Sequence, residues 1–380
     1  MTGVDAADQP TRERVPSKSG EKSGAAPVGG GSTAVTPAGL TFPRRYRGSV
    51  DARPSLDPAV AEVRLAVRTA LSALPPGETV LVALSGGADS LALAAATAFE
   101  APKLGLRAAS ITIDHGLQHG SADAAARAAG QARSLGLDAR IVPVEVGADG
   151  GPEAAARTAR YAALAREASA MGARAVLAGH TLDDQAETVL LGLARGSGAT
   201  SLQGMAPAAE LGAGVALLRP LLGVRRATTR AACRAADLEP WEDPHNADRR
   251  FARVRVREAV LPVLEAELGP GIAEALARTA VQLREDAAAF EEMIQETIED
   301  IVEHAEAGIS VSIAALAANP AALRHRIIRH VVAAEFGSSL TRTQTLEVAR
   351  LVTDWSGQGP IDLPGCRARR VGGRLEFTAS

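Results

Sequence analysis

Six residues, Ser85-Gly86-Gly87-Ala88-Asp89-Ser90, constrain this chain more than any other segment. The run before them, Thr79-Val80-Leu81-Val82-Ala83-Leu84, shows no polar alternation, which predicts a strand buried on both faces, as in a parallel sheet. An Ala/Leu-rich helical stretch follows. The two glycines allow positive φ and close approach of a ligand to the backbone. Free amides at the helix start face an anion, and the helix dipole favours negative charge there. Ser85 and Ser90 add hydroxyl donors. Asp89 is the odd member, because a carboxylate repels phosphate unless a cation lies between them, and that points to Mg²⁺. Lysine occurs only at Lys18, Lys22 and Lys103, so the lysine of a GxxxxGK[ST] loop is missing and arginine must stand in for it.

The rest of the chain alternates in the manner of an α/β fold with an open parallel sheet. Residues 1–54 are rich in Gly, Ser, Pro and Thr and read as a disordered tail. Order is expected from Asp57-Pro58, an N-cap followed by proline. Strands are expected at Ala109–Ile113, Ala139–Val146, Ala175–Ala178 and, fifth, Val215–Leu218, with helices between them. These belong to a domain spanning 55–262. A helical linker covers 263–308, where the apolar face Leu276, Leu283, Phe290, Ile294, Ile298 and Ile301 predicts one amphipathic helix over 272–306. A small α+β C-terminal domain fills 309–380, closing in a hairpin of Ile361–Leu363 with Arg374–Phe377.

Composition removes several classes. A net charge of -3 argues against a polycation but permits a local basic face. Aromatic residues, at 3%, are too few for an RNA surface of stacked rings. Cys233 and Cys366 lie far apart, with no CxxC pair or zinc ribbon. No apolar run has the length of a membrane span and no apolar leader opens the chain, so no membrane partner is expected and the cytoplasm is the expected location.

A second motif, Gly179-His180-Thr181-Leu182-Asp183-Asp184-Gln185-Ala186-Glu187-Thr188, follows the fourth expected strand. On a helix His180, Asp184 and Glu187 share one face, at the sheet end where open α/β folds bind ligands. Clustered carboxylates are costly unless a cation is bound, either a metal or the ammonium of an amine substrate. The bland reading is a solvated helix start.

The first motif resembles the SGGxDS signature of PP-loop, or N-type, ATP pyrophosphatases. The second, with Arg195-Gly196-Ser197-Gly198 and Leu202-Gln203-Gly204-Met205, is similar to the tRNA(Ile)-lysidine synthetase family. Three blocks agree: Glu153 to Tyr161 with Arg157 and Arg160, Arg219-Pro220-Leu221-Leu222, and Glu242 to Asp248 with Phe251, Arg253, Arg255, Arg257 and Leu261-Pro262. Val254 and His245 depart from the family's usual Asn and Ser. The resemblance is strong over 78–262 and weaker over 310–380.

It implies a Rossmann-like fold of the adenine nucleotide alpha hydrolase kind and a ligase that adenylates the 2-carbonyl oxygen of the wobble cytidine in a CAU-anticodon isoleucine tRNA. The ε-amine of free L-lysine then attacks carbon 2, and AMP leaves after pyrophosphate. ATP would lie on Ser85, Gly86, Gly87, Ala88, Asp89 and Ser90, with Asp114 and His115 near the adenosine. Asp89 and Asp184 would hold Mg²⁺, Asp184 and Glu187 the lysine ammonium. Arg157 or Arg195 would clamp phosphate, and His180 would bind phosphate or move a proton. Arg249, Arg250, Arg253, Arg255 and Arg257, with Arg369 and Arg370, form the expected tRNA surface, in a stretch where Arg219, Arg225, Arg226, Arg230 and Arg234 add basic density. A homodimer stays open. So do a tRNA thiolase, an amidotransferase-type synthetase and an inactive nucleotide- or RNA-binding module.

Overall fold

The computed structural model describes residues 56–116, 120–144, 152–196, 198–243, 247–305 and 308–380. The expected tail over 1–54 and the motif positions Ser197 and His245 lie outside the described residues.

The chain enters through helix α1 (Pro58–Leu71), capped by Asp57, whose Oδ1 accepts the Ala59 amide at 2.8 Å. Then come β1 (Thr79–Ala83), α2 (Ala88–Glu100), β2 (Arg107–Asp114), α3 (Ser121–Ser134), β3 (Asp138–Pro143), α4 (Pro152–Ala170), β4 (Ala173–Ala178), α5 (Leu182–Ala194) and α6 (Gly198–Leu202). An antiparallel edge pair, β5 (Ala208–Gly212) and β6 (Val215–Leu218), leads into α7 (Arg226–Ala235). The strand order is β3-β2-β1-β4-β6-β5, parallel throughout except at β5. Val80, Leu81 and Val82 are wholly buried, as a two-sided sheet demands.

The connection after β1 runs to β2 on one side, and the chain later returns to β4 on the other. The β1–α2 turn therefore sits where the strand order reverses, the place where open α/β sheets bind ligands. The β4–α5 turn lies beside it. Topology alone brings the two motifs together, although about ninety residues separate them.

Beyond α7 the chain forms α8 (Ala252–Arg255), a wider π-type turn over Val256–Val260, and α9 (Leu261–Leu268). The long helix α10 (Ile272–Ile301) packs its first half on α5, through Leu182 and Ala186 against Ala273, Leu276 and Ala277. Its Ile294 and Ile301 enter a second core. That core lies under an antiparallel sheet of order β7-β8-β11-β10-β9, from β7 (Val302–Ala305), β8 (Gly308–Ser312), β9 (Ile361–Leu363), β10 (Cys366–Val371) and β11 (Arg374–Ala379). Helices α11 (Ile313–Ala318), α12 (Ala321–Phe336) and α13 (Arg342–Thr353) complete it.

Three expectations need correction. The edge strand β5 was not expected: its sequence, Ala-Ala-Glu-Leu-Gly, has no β-branched residue, and its pairing is set by the tight Gly212-Ala213-Gly214 turn, where all three φ are positive. The linker helix stops at Ile301 instead of 306, because Val302 turns extended and pairs with Val311. Ile361–Leu363 does not pair with Arg374–Phe377: β10 lies between them and makes the hairpin with β11.

Phe377 is the largest fully buried side chain of the C-terminal core. Phe377→Ala is expected to cost about 3–5 kcal/mol, read as a lower denaturant midpoint at unchanged m-value; a loss under about 1 kcal/mol would contradict this packing.

Candidate active site

The phosphate turn is pre-set by its own hydroxyls. Ser90 Oγ donates to the Gly87 carbonyl at 2.9 Å and accepts the Ser85 amide at 3.2 Å, while the two serine oxygens lie 3.1 Å apart. Gly86 adopts φ of 84°, and a Cβ there would press on Ala128 at 3.2 Å. The Gly86 carbonyl in turn accepts the Trp241 amide at 2.9 Å. The first amides of α2 have no partner within the helix and point out of its N-terminus. Amides at a helix start of this kind suit an anion without any lysine.

The second motif starts α5. Asp184 Oδ2 accepts both the amide and the hydroxyl of Thr181 at 2.8 Å, a capping-box arrangement that fixes the carboxylate. Gln185 clasps a loop behind it: its amide nitrogen donates to the Met205 carbonyl at 2.8 Å and its oxygen accepts the Met205 amide at 2.6 Å. Gly179 lies directly against α2, where a Cβ would meet the Asp89 carbonyl carbon at 3.0 Å and the Ser90 nitrogen at 3.1 Å. The two turns are thus in backbone contact.

Between them stands Arg226, from the first turn of α7. Its Nη2 donates to Asp184 Oδ1 at 2.8 Å, its Nη1 to Glu187 Oε1 at 3.2 Å, and its Nε lies 3.5 Å from Asp89 Oδ2. The Arg226 amide donates to Asp183 Oδ2 at 2.8 Å, so Asp183 caps α7. Thr229 on the same helix donates its hydroxyl to Asp89. Glu187 is fully buried and also takes a two-pronged contact from Arg257, Nε at 2.7 Å and Nη2 at 3.0 Å, with Arg253 at 3.7 Å. Burial pushes the Asp89 carboxyl up, opposed by Thr229 and Arg226. Burial acts in the same sense on Asp184, but Arg226 and the Thr181 bonds outweigh it and hold that carboxyl below its ordinary range.

The two histidines of the motifs have cationic neighbours. Burial drives His180 down to about 4, with Arg219, Arg160 and Arg157 adding to the effect against Asp184. His115 is lowered by burial and by Arg160. Among the described residues, His115 Nδ1, His180 Nδ1 and Arg219 Nε are buried without a hydrogen-bond partner. Arg219 Nε is an unpaired buried donor, and such a donor in a positive setting suits an anion. Asp114 Oδ1 accepts the Gly116 amide at 3.0 Å, beside His115.

The structure brings together Ser85 to Ser90, Asp89, His180, Asp184 and Glu187. Arg157 is exposed on the α4 side of this group. Arg195 caps the far end of α5, roughly 16 Å along the helix from Asp184, and joins none of them. The arginines expected on the tRNA surface divide. Arg253 and Arg257 point inward to Glu187, and Arg255 Nη1 donates to the carbonyls of Arg249 and Arg250 at 2.8 and 2.7 Å. Arg249 and Arg250 are exposed, Arg250 pairing with Asp248. In the C-terminal unit Arg369 pairs with Glu376, and Arg370 lies 5.3 Å from the Trp355 ring. Arg225 is held by Glu274 and Glu265 rather than facing outward. Val254 is buried where the family often has Asn.

The sequence placed Arg219 and Arg226 only in the basic stretch expected to face tRNA and gave no role to Thr229 or Arg160, yet Arg226 and Thr229 contact Asp89, and Arg160 and Arg219 neighbour His180. Arg160 stands three residues after Arg157, on the same helical side, and that spacing could have found it. Nothing in the sequence sets Arg226 apart from Arg225.

Mg²⁺ fits these residues only in part. Both Asp184 oxygens are taken by Arg226 and Thr181. Asp89 Oδ2 has its nearest cation at 3.5 Å and is the carboxylate oxygen suited to a metal. Among the described residues no three His, Cys, Asp or Glu side chains gather into a metal cage. The two cysteines sit in separate cores, and burial raises the Cys233 thiol to about 11.

A parallel sheet with a lysine-free phosphate turn at its switch point defines a PP-loop ATP-utilising protein. Family models agree: a PP-loop domain matches residues 62–264, and a TilS substrate binding domain matches residues 312–376. The tRNA(Ile)-lysidine synthase of Leifsonia xyli subsp. xyli is 60% identical over 306 residues, covering 80% of this chain and 91% of that protein. The tRNA(Ile)-lysidine synthase of Thermobifida fusca is 51% identical over 326 residues, covering 85% and 98%. The chain belongs to the tRNA(Ile)-lysidine synthase family. The U34-tRNA thiolase NcsA from Methanococcus maripaludis with its [4Fe-4S] cluster shares the fold alone, with a TM-score of 0.52 at 20% identity over 60% of this chain and 80% of that one.

Gly179→Ala should displace the Asp89 backbone. Turnover is expected to fall about 10²-fold with the melting temperature nearly kept; full activity would show that the close approach of the two turns is not needed.

Proposed function

We propose that this chain forms lysidine, using ATP to join lysine to carbon 2 of the wobble cytidine in a CAU-anticodon isoleucine tRNA. The observation that carries this reading is the convergence of a backbone phosphate cradle and a buried acidic motif on one guanidinium, at the switch point of the sheet.

In the first step the cytidine 2-oxygen attacks the α-phosphorus of ATP, the bond to the β-phosphate breaks, and pyrophosphate leaves. The amides of Gly86 to Ser90 are the cradle for the leaving end. Mg²⁺, held by the phosphates and Asp89, would supply charge neutralisation at the triphosphate. Arg157, Arg160 and Arg219 offer further positive charge to the phosphates, and the unpaired nitrogens of His115 and His180 offer hydrogen bonds. In the second step the lysine ε-amine attacks carbon 2 and AMP departs. The amine must lose a proton first, since it titrates near ~10.4. A neutral His180 with a pKa of about 4 is a poor sink for that proton and serves better as a hydrogen-bonding group. Asp184, at the edge of the acidic motif, is the carboxylate that would orient the ammonium.

The tRNA would lie across the exposed Arg249 and Arg250 and the C-terminal unit with Arg369 and Arg370. In this reading 55–262 is the catalytic domain, 263–308 the linker and 309–380 the tRNA-contacting domain. No helix of the described residues is long and apolar enough to cross a membrane; with tRNA as substrate, the cytoplasm is the place of action. A thiolase reading lacks support, because Cys233 and Cys366 belong to different cores.

Incubation with labelled lysine, ATP and CAU-anticodon isoleucine tRNA, followed by nucleoside analysis, is expected to give labelled lysidine; sulfur transfer or no product would refute the reading. Asp89→Asn is expected to abolish pyrophosphate release, and undiminished release would remove the metal role of Asp89. Binding of tRNA should weaken steeply with salt, by about 10³-fold between 50 and 200 mM for six or so phosphate contacts; a flat response would contradict the arginine surface.

A further inference from the structure

The acidic motif called for a cation from outside, a metal or an amine. The structure provides one from within the chain. Arg226 contacts carboxylates from both halves of the site, and the contacts are unequal. Its bonds to Asp184 and Glu187 are 2.8 and 3.2 Å, while its approach to Asp89, on the phosphate side, is 3.5 Å. Its anchorage is separate from its guanidinium: the Arg226 amide is tied to Asp183 at 2.8 Å, and Thr229 one turn on holds Asp89. The side chain can therefore turn while the helix start stays fixed.

We propose that Arg226 is a shared cation that makes lysine binding depend on bound nucleotide. The proposal rests on the lysidine-forming reading above. While Arg226 pairs with the acidic motif, an incoming ammonium meets a like charge and carboxylates already satisfied. A triphosphate on the Gly86–Ser90 amides brings several negative charges beside Asp89. A guanidinium pairs well with phosphate, often through two parallel bonds, so Arg226 gains a stronger anion on that side. Its turn toward the nucleotide removes the 2.8 Å partner of Asp184 Oδ1 and leaves that oxygen only the longer, 3.7 Å approach of Arg257 Nη2. Little else changes, because Asp184 Oδ2 stays on Thr181 and Glu187 keeps its two bonds from Arg257. One carboxylate oxygen, rather than the whole acidic group, is released for the amine. Arg226 is thus a positioning residue that acts through Asp184. A cation that merely braced the fold would create no link between the two ligands, whereas a shared one creates a coupling, commonly of about 5- to 150-fold.

Equilibrium dialysis of labelled lysine against the full chain, with and without α,β-methylene ATP, tests this. In the wild type the analogue is expected to tighten lysine binding by about tenfold or more. In Arg226→Gln the two affinities are expected to agree within about twofold, with the nucleotide-free affinity raised. Equal wild-type affinity in both conditions, no lysine binding in either, or full coupling in the Gln variant overturns the proposal. Should Arg226→Gln fail to fold in thermal melting, Arg226→Lys takes its place. It keeps the charge but loses the fork, and is expected to weaken the coupling at least about threefold; unchanged coupling there overturns the proposal equally. Lysidine formation by the wild type is scored separately. A chain that makes no lysidine refutes the functional reading; one that makes it without nucleotide-dependent lysine binding refutes only the role of Arg226.

Discussion

Three carboxylates from two distant motifs meet at one guanidinium, and the rest of the site is arranged around that meeting. Carboxylates gathered this closely repel one another unless positive charge lies among them. Arg226 supplies it directly, and Arg257 and Arg253 supply it from behind Glu187. Such a pairing gives little net stability, because desolvation cancels much of the attraction, but removal of one member leaves a buried charge uncompensated. Its value is geometric. It ties the start of α2, which follows the glycine-serine turn, to the starts of α5 and α7.

The sheet makes this meeting possible. Parallel strands put the ends of β1 and β4 side by side, and each ends in a turn that opens a helix. Gly179 allows those turns to touch. Arg160 and Arg219 neighbour His180, and His115 Nδ1, His180 Nδ1 and Arg219 Nε are buried without partners. The same helix that presents the acids buries its other face against α10, which runs on into the second core. Arg284 of α10 also donates to the Met205 carbonyl at 2.9 Å, the carbonyl that Gln185 of α5 contacts.

What the sequence made legible was local. The β1 run, the phosphate turn, the capping residue Asp57 and the acidic helix start each announce themselves within a dozen residues, because strand burial, helix capping and glycine geometry are short-range. Partner choice is not local. Arg225 and Arg226 are neighbours of the same type, yet one goes to Glu274 and the other into the acidic cluster. Arg253 and Arg257 look like an RNA-facing pair four residues apart, yet both turn to Glu187, a residue about seventy positions earlier. Burial and long-range geometry decide those pairings, so charge counting assigned them to the surface. The missed strand β5 and the crossed hairpin have the same cause: pairing with a distant strand overrides a weak local pattern.

The central claim is that the lysine-free turn after β1 receives the triphosphate. A crystal structure with α,β-methylene ATP tests it most directly. Phosphate oxygens are expected on the amides between Gly86 and Ser90, with Asp89 alongside. A nucleotide well ordered elsewhere on the protein, with that turn untouched, would contradict it.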